Sequence, residues 1–144
     1  MLLTIITINR NNAHGLARTM RSVLSQSDRS FEYVVVDGAS TDGSREVVEA
    51  HATQLTAWVS ERDTGIYNAM NKGVCMAHGD YVLFLNSGDE LYDKDVTAKV
   101  LPMLAAGDAD LCSGALMRME RHPKVIPSPK RPTALFLVRD SMPH

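Results

Sequence analysis

At three places in this chain an apolar run is followed directly by a polar loop, and this repeated arrangement constrains the fold most strongly. The runs at residues 2–8, 31–36 and 81–85 are rich in β-branched and other apolar residues, as in parallel strands that are buried on both faces. Residues 55–60 form a shorter candidate strand, and residues 110–117 form a weaker one. Several parallel strands in one short chain require crossover connections.

Helical patterns lie between these runs. One predicted helix has its apolar face at the required spacing, formed by Leu16, Ala17, Met20, Val23 and Leu24. Thr64 is expected to cap a second helix, and shorter helices are expected after Gly43 and after Asp93. The alternation of strands and helices predicts an α/β fold with a mostly parallel sheet flanked by helices.

The length and the net charge of the chain limit the classes of protein to which it can belong. The 144 residues suit one domain, and a formal net charge of -2 disfavours binding to nucleic acid through bulk electrostatics. The two cysteines, Cys75 and Cys112, form no CxxC pair and are expected to be reduced thiols. We find no signal-peptide pattern and no apolar stretch near the ~20 residues that span a bilayer, so a cytoplasmic protein is expected.

The three polar loops are expected to meet at one edge of the sheet. Ligands of doubly wound sheets bind beyond the carboxyl ends of the strands, where Asp37, Asp42 and Asp89 would gather. Such a rim of carboxylates suits a hard cation such as Mg²⁺ or Mn²⁺. Each acid also has a simpler interpretation, because Asp42 could cap a helix and residues 86–89 could form an ordinary turn.

Two nucleotide-related folds fit the loops poorly. Gly38 and Gly43 have the glycine spacing of a P-loop, but Ser44 stands where the phosphate-binding lysine is required. A phosphoacceptor receiver domain should carry acids after its first strand, where this chain has polar neutral and basic residues at 9–12. The receiver domain is therefore the third hypothesis.

Four motifs, taken together, resemble glycosyltransferase family 2 of the GT-A fold. Residues 34–43 are similar to its "VVDDGSTDGT" loop, and residues 6–10 are similar to its opening "PTYNR". Residues 60–73 and 79–89 resemble the "SEPDxGIYDAMNKG" and "GDYxxFLNSGD" segments of a bacterial subgroup related to colanic-acid and O-antigen enzymes. The four motifs occur in the family's order.

The resemblance implies a nucleotide-sugar site. Thr7, Asn9 and Asp37 match positions that hold the nucleoside, with Asp37 accepting a hydrogen bond from the base or the ribose. Asp63 matches an acidic position that borders the nucleotide-sugar pocket, and Asn86 begins the segment that corresponds to the family's DxD motif.

The resemblance also implies a metal cofactor, Mn²⁺ or Mg²⁺. Asp89 matches the residue that binds the metal bridging the diphosphate. Asn86 and Gly88 are not acidic, so Asp89 would carry this site almost alone. Ile8 replaces the usual aromatic residue, and Gly38 replaces a second aspartate.

The family's acceptor half is expected to follow this chain. Residues 1–120 are interpreted as the nucleotide-sugar-binding part, and residues 121–144 as a proline-rich extended tail leading to an absent acceptor half. The catalytic base is expected beyond His144, in which case the chain is C-terminally truncated and inactive alone. The alternative is a non-catalytic nucleotide-binding module or an inactive fragment.

The complete enzyme is expected to be an inverting glycosyltransferase of surface polysaccharide biosynthesis. Its donor would be a UDP- or GDP-sugar, and its acceptor a glycan or a lipid-linked saccharide. This interpretation is compatible with a peripheral position at the inner membrane and with an oligomer. The sequence alone does not identify the sugar, the linkage or the acceptor.

Overall fold

The parallel sheet predicted from the sequence is present in the computed structural model, which describes residues 1–107, 110–112, 114–118 and 124–127. Its strands are β1 (Leu3–Asn9), β2 (Glu32–Asp37), β3 (Ala57–Ser60) and β4 (Tyr81–Phe84). All neighbours are parallel, and the order across the sheet is β3-β2-β1-β4. Every residue of β1 and β2 is buried, which explains why these segments are nearly continuous apolar runs.

Four helices cover the two faces of the sheet. They are α1 (Ala13–Leu24), α2 (Ser44–Glu49), α3 (Ile66–Met76) and α4 (Val96–Ala105). A single 3₁₀ turn at Ala52–Gln54, which the sequence pattern did not predict, precedes β3. Helices α1, α2 and α4 contribute to one core cluster and α3 to the other, so the predicted α/β class is confirmed.

The face covered by α3 positions the candidate site. Its core contains Ile6, Ile8 and Val34 from the sheet, with Ala69 from α3. The helix lies close to β1 because Gly73 has no side chain, since a Cβ at this position would be 2.5 Å from Ile6 Cγ2. This close packing brings the first turn of α3 to the carboxyl edge of the sheet.

Two expectations about local structure are wrong. Thr64 does not cap α3, because the N-cap position is Gly65, whose φ of 134° is a backbone conformation that favours glycine. The backbone N–H of Thr64 instead donates to Asn68 Oδ1 at 3.3 Å. The described residues within 110–117 do not join the parallel sheet; of these, Leu116 and Met117 lie in a strand of a second, two-stranded sheet.

The last described strands form a separate hairpin. Strands β5 (Leu116–Arg118) and β6 (Lys124–Ile126) pair antiparallel. The sequence predicts a division of the chain into residues 1–120 and 121–144. The two strands lie on either side of that division, which stays a prediction. Most of the proline-rich tail, including all of residues 128–144, lies outside the described residues. No helix in the described part of the chain is long and apolar enough to cross a membrane.

Candidate functional site

The carboxyl ends of three neighbouring strands place one polar residue each in a single row. Asn9 at the end of β1 pairs with Asp37 at the end of β2, and Asp37 pairs with Ser60 at the end of β3. Asn9 and Asp37 are both buried. This row lies at the edge where parallel sheets bind their ligands.

Asp37 accepts four hydrogen bonds from the protein itself. Asn9 Nδ2 donates to Oδ1 at 2.8 Å, and Ser60 Oγ donates to Oδ2 at 2.7 Å. The backbone N–H and the hydroxyl of Ser40 supply the other two. Burial alone would raise the pKa of Asp37, but these hydrogen bonds outweigh burial and hold the pKa below its ordinary value. Asp37 is therefore an ionised carboxylate at neutral pH.

These four hydrogen bonds affect whether Asp37 can also accept a hydrogen bond from a nucleoside, as the sequence predicts. A carboxylate has about four lone-pair positions, and the protein donors fill that number. A ligand can bond to Asp37 only if a donor such as the Ser40 or Ser60 hydroxyl turns away. Ser40 and Ser60 are absent from the residues predicted from the sequence, although the strand register would have placed Ser60 beside Asp37.

A cavity of about 350 Å³ lies between the end of β1, the start of α3 and the loop after β4. Its lining residues are Ile8, Asn9, Arg10, Asp63, Gly65, Ile66, Ala69, Asn86 and Ser87. Two of these carry buried polar atoms without a partner among the described residues, namely Oδ1 of Asn9 and Oδ1 of Asn86. The structure thus brings together three predicted site residues: Asn9, Asp63 and Asn86.

Asp63 enters the cavity wall from the loop between β3 and α3. Its side chain is only 5% exposed, and Arg10 Nη1 lies 3.6 Å from its Oδ1. The backbone N–H of Gly65 donates to the same oxygen at 3.0 Å. No described residue donates a hydrogen bond to Oδ2 of Asp63, so this oxygen is available to a ligand.

The loop after β4 is fixed to the rest of the domain through its backbone. Ser87 N donates to Ile8 O at 3.1 Å, which extends the β1–β4 pairing by hydrogen bonding. Thr19 Oγ1 donates to Asp89 O at 2.7 Å, and Arg18 Nη2 donates to Gly88 O at 2.7 Å. These anchors hold the loop against α1.

Asp89 lies outside the cavity lining, and it is exposed. The described residues contain no group of three His, Cys, Asp or Glu side chains that could hold a metal ion. A cation at Asp89 would therefore need most of its ligands from a bound molecule and from water, as Mg²⁺ commonly does.

Thr7 is in the sheet interior, away from the cavity. It is fully buried, and its hydroxyl lies 3.0 Å from the Tyr33 hydroxyl, with which it forms a hydrogen bond. Burial raises the pKa of Tyr33 further above its ordinary value, so its phenol stays protonated. The Thr7–Tyr33 hydrogen bond therefore stabilises β1 two residues before Asn9.

The loop at residues 37–44 uses its other acid to link two helices. Asp42 Oδ2 accepts from Ala13 N at 2.8 Å, at the start of α1. Asp42 Oδ1 accepts from the backbone N–H and the hydroxyl of Ser44, at the start of α2. These bonds lower the pKa of Asp42, the Ser44 hydroxyl contributing most. Asp42 therefore binds backbone N–H groups at the start of both helices, but the N-cap positions themselves are Asn12 for α1 and Gly43 for α2, so the interpretation of Asp42 as the N-cap of the next helix is wrong.

Comparison with known proteins places this geometry in a family. A family model described as glycosyl transferase family 2 matches residues 4–142. An uncharacterised glycosyltransferase of Mycobacterium tuberculosis is 38% identical over 103 residues, which are 71% of this chain and 39% of that protein. The chain thus spans about two fifths of the length of this curated relative.

Solved structures with the same fold include two that hold nucleotides. TarS 1-349 of S. aureus in complex with UDP superimposes with a TM-score of 0.67 at 26% identity, covering 76% of this chain and 34% of that one. A mannosyltransferase of Pyrobaculum calidifontis in complex with GDP-Man and Mn²⁺ has a TM-score of 0.66 at 28% identity, with coverages of 78% and 34%. The predicted family resemblance and the predicted GT-A fold are confirmed.

Proposed function

The chain belongs to glycosyltransferase family 2, and on that premise we propose that it binds the nucleoside diphosphate sugar donor of a sugar-transfer reaction. The observation that carries the proposal is the pair of unpartnered amide oxygens on Asn9 and Asn86, two residues of one cavity wall. An unpaired buried polar atom costs about 1–3 kcal/mol, so these oxygens favour a ligand that brings N–H or O–H donors. A nucleobase and a ribose bring both.

The remaining polar groups of the cavity suit the same class of ligand. Asp63 adds a third free acceptor, which a ribose or sugar hydroxyl would satisfy. Arg10 also lines the cavity, its side chain is 62% exposed, and its guanidinium can attract a diphosphate. In this proposal Asn9, Asp63 and Asn86 contact the donor, Asp37 orients the Asn9 amide, and Thr7 is bonded to Tyr33 inside the domain.

The proposed cation, Mn²⁺ or Mg²⁺, would be held by Asp89. The fit rests on the donor set, because an exposed carboxylate beside a diphosphate leaves the other coordination positions to phosphate oxygens and water. When bound, such a cation neutralises charge on the leaving nucleoside diphosphate. The Mn²⁺ in the mannosyltransferase complex supports the use of a divalent cation in this fold.

The proposed reaction is a single displacement with inversion at the sugar. The acceptor hydroxyl oxygen forms a bond to the anomeric carbon while the bond from that carbon to the diphosphate oxygen breaks. The hydroxyl proton passes to a general base. The resemblance places that base in the acceptor half, and we assign it to no residue of this chain.

The proposed substrates follow from the neighbours and from the resemblance. One neighbour is in complex with UDP and another with GDP-Man, which supports a nucleoside diphosphate sugar as the donor class. The proposed acceptor is a hydroxyl of a glycan or of a lipid-linked saccharide in surface polysaccharide biosynthesis. In that case the protein would work at the inner face of the membrane.

Calorimetry with UDP and with GDP tests the proposal. We expect one of them to bind in the presence of Mn²⁺ and to bind more weakly with EDTA. Asp89→Asn should remove the difference between the two conditions. Asp80→Asn is the matched control, because Asp80 is exposed at the opposite end of the sheet, just before β4.

Two results would speak against the proposal. Absence of binding by both nucleotides contradicts the donor site, and binding that neither EDTA nor Asp89→Asn alters contradicts the metal assignment. Nucleotide binding without sugar transfer would favour the alternative of a non-catalytic nucleotide-binding module.

A further inference from the structure

We infer that Gly38 is a positioning residue, whose missing side chain creates the space in which the Asp63 carboxylate lies on the cavity wall. The inference rests on the proposed function, since it explains how one of the proposed donor contacts is placed. It concerns two residues that are 25 positions apart in the chain and lie on different loops.

The space above Gly38 is filled by the Asp63 carboxylate. A Cβ atom at this position would overlap Asp63 Oδ2 well inside 3.0 Å, a separation that real Cβ atoms essentially never show. It would also lie 3.4 Å from Arg10 Cδ. Any residue other than glycine at position 38 must therefore push the Asp63 carboxylate out of its place.

Backbone conformation does not explain the glycine. The described glycines with positive φ are Gly43, Gly65, Gly88 and Gly107, and Gly38 is not among them. Its backbone is therefore accessible to other residues, and the close approach of Asp63 is what requires a glycine.

The position of Asp63 is well defined apart from this contact. Its Oδ1 accepts the Gly65 N–H at 3.0 Å and lies 3.6 Å from Arg10 Nη1. These interactions turn Oδ2 towards Gly38 and leave it without a donor among the described residues. The interactions of Oδ1 thus fix the orientation of the carboxylate, and Oδ2 is the oxygen that can accept a hydrogen bond from a ligand hydroxyl.

A double-mutant cycle tests whether the position of Asp63 depends on Gly38. The variants are Gly38→Ala, Asp63→Ala and the double variant, and Gly114→Ala is the control, because a Cβ on Gly114 meets nothing within 4 Å. We measure the melting temperature without ligand, and the Kd for UDP and for GDP with Mg²⁺.

We expect Gly38→Ala to lower the melting temperature by about 1–3 °C, a small effect because the atom that must move is the end of the Asp63 side chain. We also expect it to weaken nucleotide binding roughly 10- to 100-fold, as does the loss of a hydrogen bond to a charged group. In the Asp63→Ala background, Gly38→Ala should have little further effect on either quantity. Gly114→Ala should behave as wild type.

Two outcomes would overturn the inference. One is a Gly38→Ala variant with wild-type melting temperature and wild-type affinity. The other is a set of losses that simply add in the double variant, which would mean that the two residues act independently. A wild-type chain that binds neither nucleotide would instead overturn the proposed function, and the melting temperatures would still decide whether Gly38 seats Asp63.

Discussion

Asn9 and Asp37 end neighbouring strands, and Asn9 Nδ2 donates to Asp37 Oδ1 at 2.8 Å. Because a carboxylate can only accept, this bond fixes which end of the Asn9 amide points to Asp37. The opposite end, Oδ1, belongs to a residue of the cavity wall and is buried without a hydrogen-bond partner among the described residues. Asp37 thereby determines that Asn9 offers an acceptor, and not a donor, to a ligand.

Replacing Asp37 by asparagine should destabilise the protein and lower its affinity for nucleotides. In wild type, the donors of Asn9, Ser40 and Ser60 bond to a charged carboxylate, whereas in the variant they would meet a neutral amide. We therefore expect the free energy of unfolding at pH 7 to fall by about 1.5–3 kcal/mol. The Asn9 amide also loses the bond that orients it. Chemical denaturation and calorimetry with UDP and GDP measure the two effects, with Asp80→Asn as the control.

The same variant should change how stability depends on pH. The pKa of Asp37 is lower in the folded protein than in the unfolded chain. The resulting stabilisation is present above about pH 4 and is lost as the pH falls through the folded-state value. Melting curves between neutral and acidic pH should show this loss in wild type and a smaller loss in Asp37→Asn. Identical pH dependence in the two proteins would contradict the account.

Glu32 offers a contrast at the opposite edge of the sheet. It accepts from Thr4 Oγ1 and from His78 N, each at 2.8 Å. Burial would raise the pKa of Glu32, but these two bonds and the nearby His78 ring lower it. We expect Glu32→Gln to lower the free energy of unfolding by about 1.5–3 kcal/mol at pH 7 and to leave nucleotide affinity unchanged. A loss of affinity equal to that of Asp37→Asn would refute the proposed location of the site.

Asn86→Ala should weaken ligand binding without destabilising the free protein. The Asn86 Oδ1 atom is buried and has no hydrogen-bond partner in the part of the chain that the structure describes, so its removal relieves an unfavourable burial. We expect nucleotide affinity to fall about 2- to 12-fold, as for the loss of a neutral hydrogen bond. The melting temperature without ligand should stay the same or rise. A clear fall in melting temperature together with unchanged affinity would assign Asn86 a structural role only.

Ala39→Gly should stabilise the loop after β2. Ala39 has a φ of 54°, in the left-handed region that disfavours residues with a Cβ by about 1–2 kcal/mol. Glycine also costs about 0.5–1 kcal/mol, because it gives the unfolded chain more conformational freedom, so the expected net gain lies between zero and about 1.5 kcal/mol. Chemical denaturation at pH 7 measures this gain. A loss of stability would show that the Ala39 methyl group makes contacts that matter more than the backbone.

The sheet could be predicted from the sequence because the strands are buried on both faces and are therefore nearly continuous apolar runs. The positions of Asn9, Asp37 and Asn86 near one edge then followed from parallel topology alone. The hydrogen bond between Thr7 and Tyr33 could not be predicted, since it depends on which hydroxyls meet inside the core.

Contacts between loops that lie far apart in the sequence could not be predicted either. The approach of Asp63 to Gly38 depends on how the β3–α3 loop lies against the end of β2, which no local motif specifies. The start of α3 was misjudged for a related reason, because Thr64 is a good capping residue by type, but the backbone turns at Gly65. The assignments of Asp37, Asp63 and Asp89 to particular ligand atoms stay predictions.

The central claim is that the cavity beside Asn9 and Asn86 is the nucleotide site, and an amide NMR titration tests it most directly. UDP and GDP would each be added, with Mg²⁺, to the ¹⁵N-labelled chain. We predict that one of them shifts the side-chain amide signals of Asn9 and Asn86 and the backbone signals of Gly38 and Gly65, while the signal of His78 stays in place. Shifts confined to the His78 edge of the sheet, or no shifts with either nucleotide, would contradict the claim.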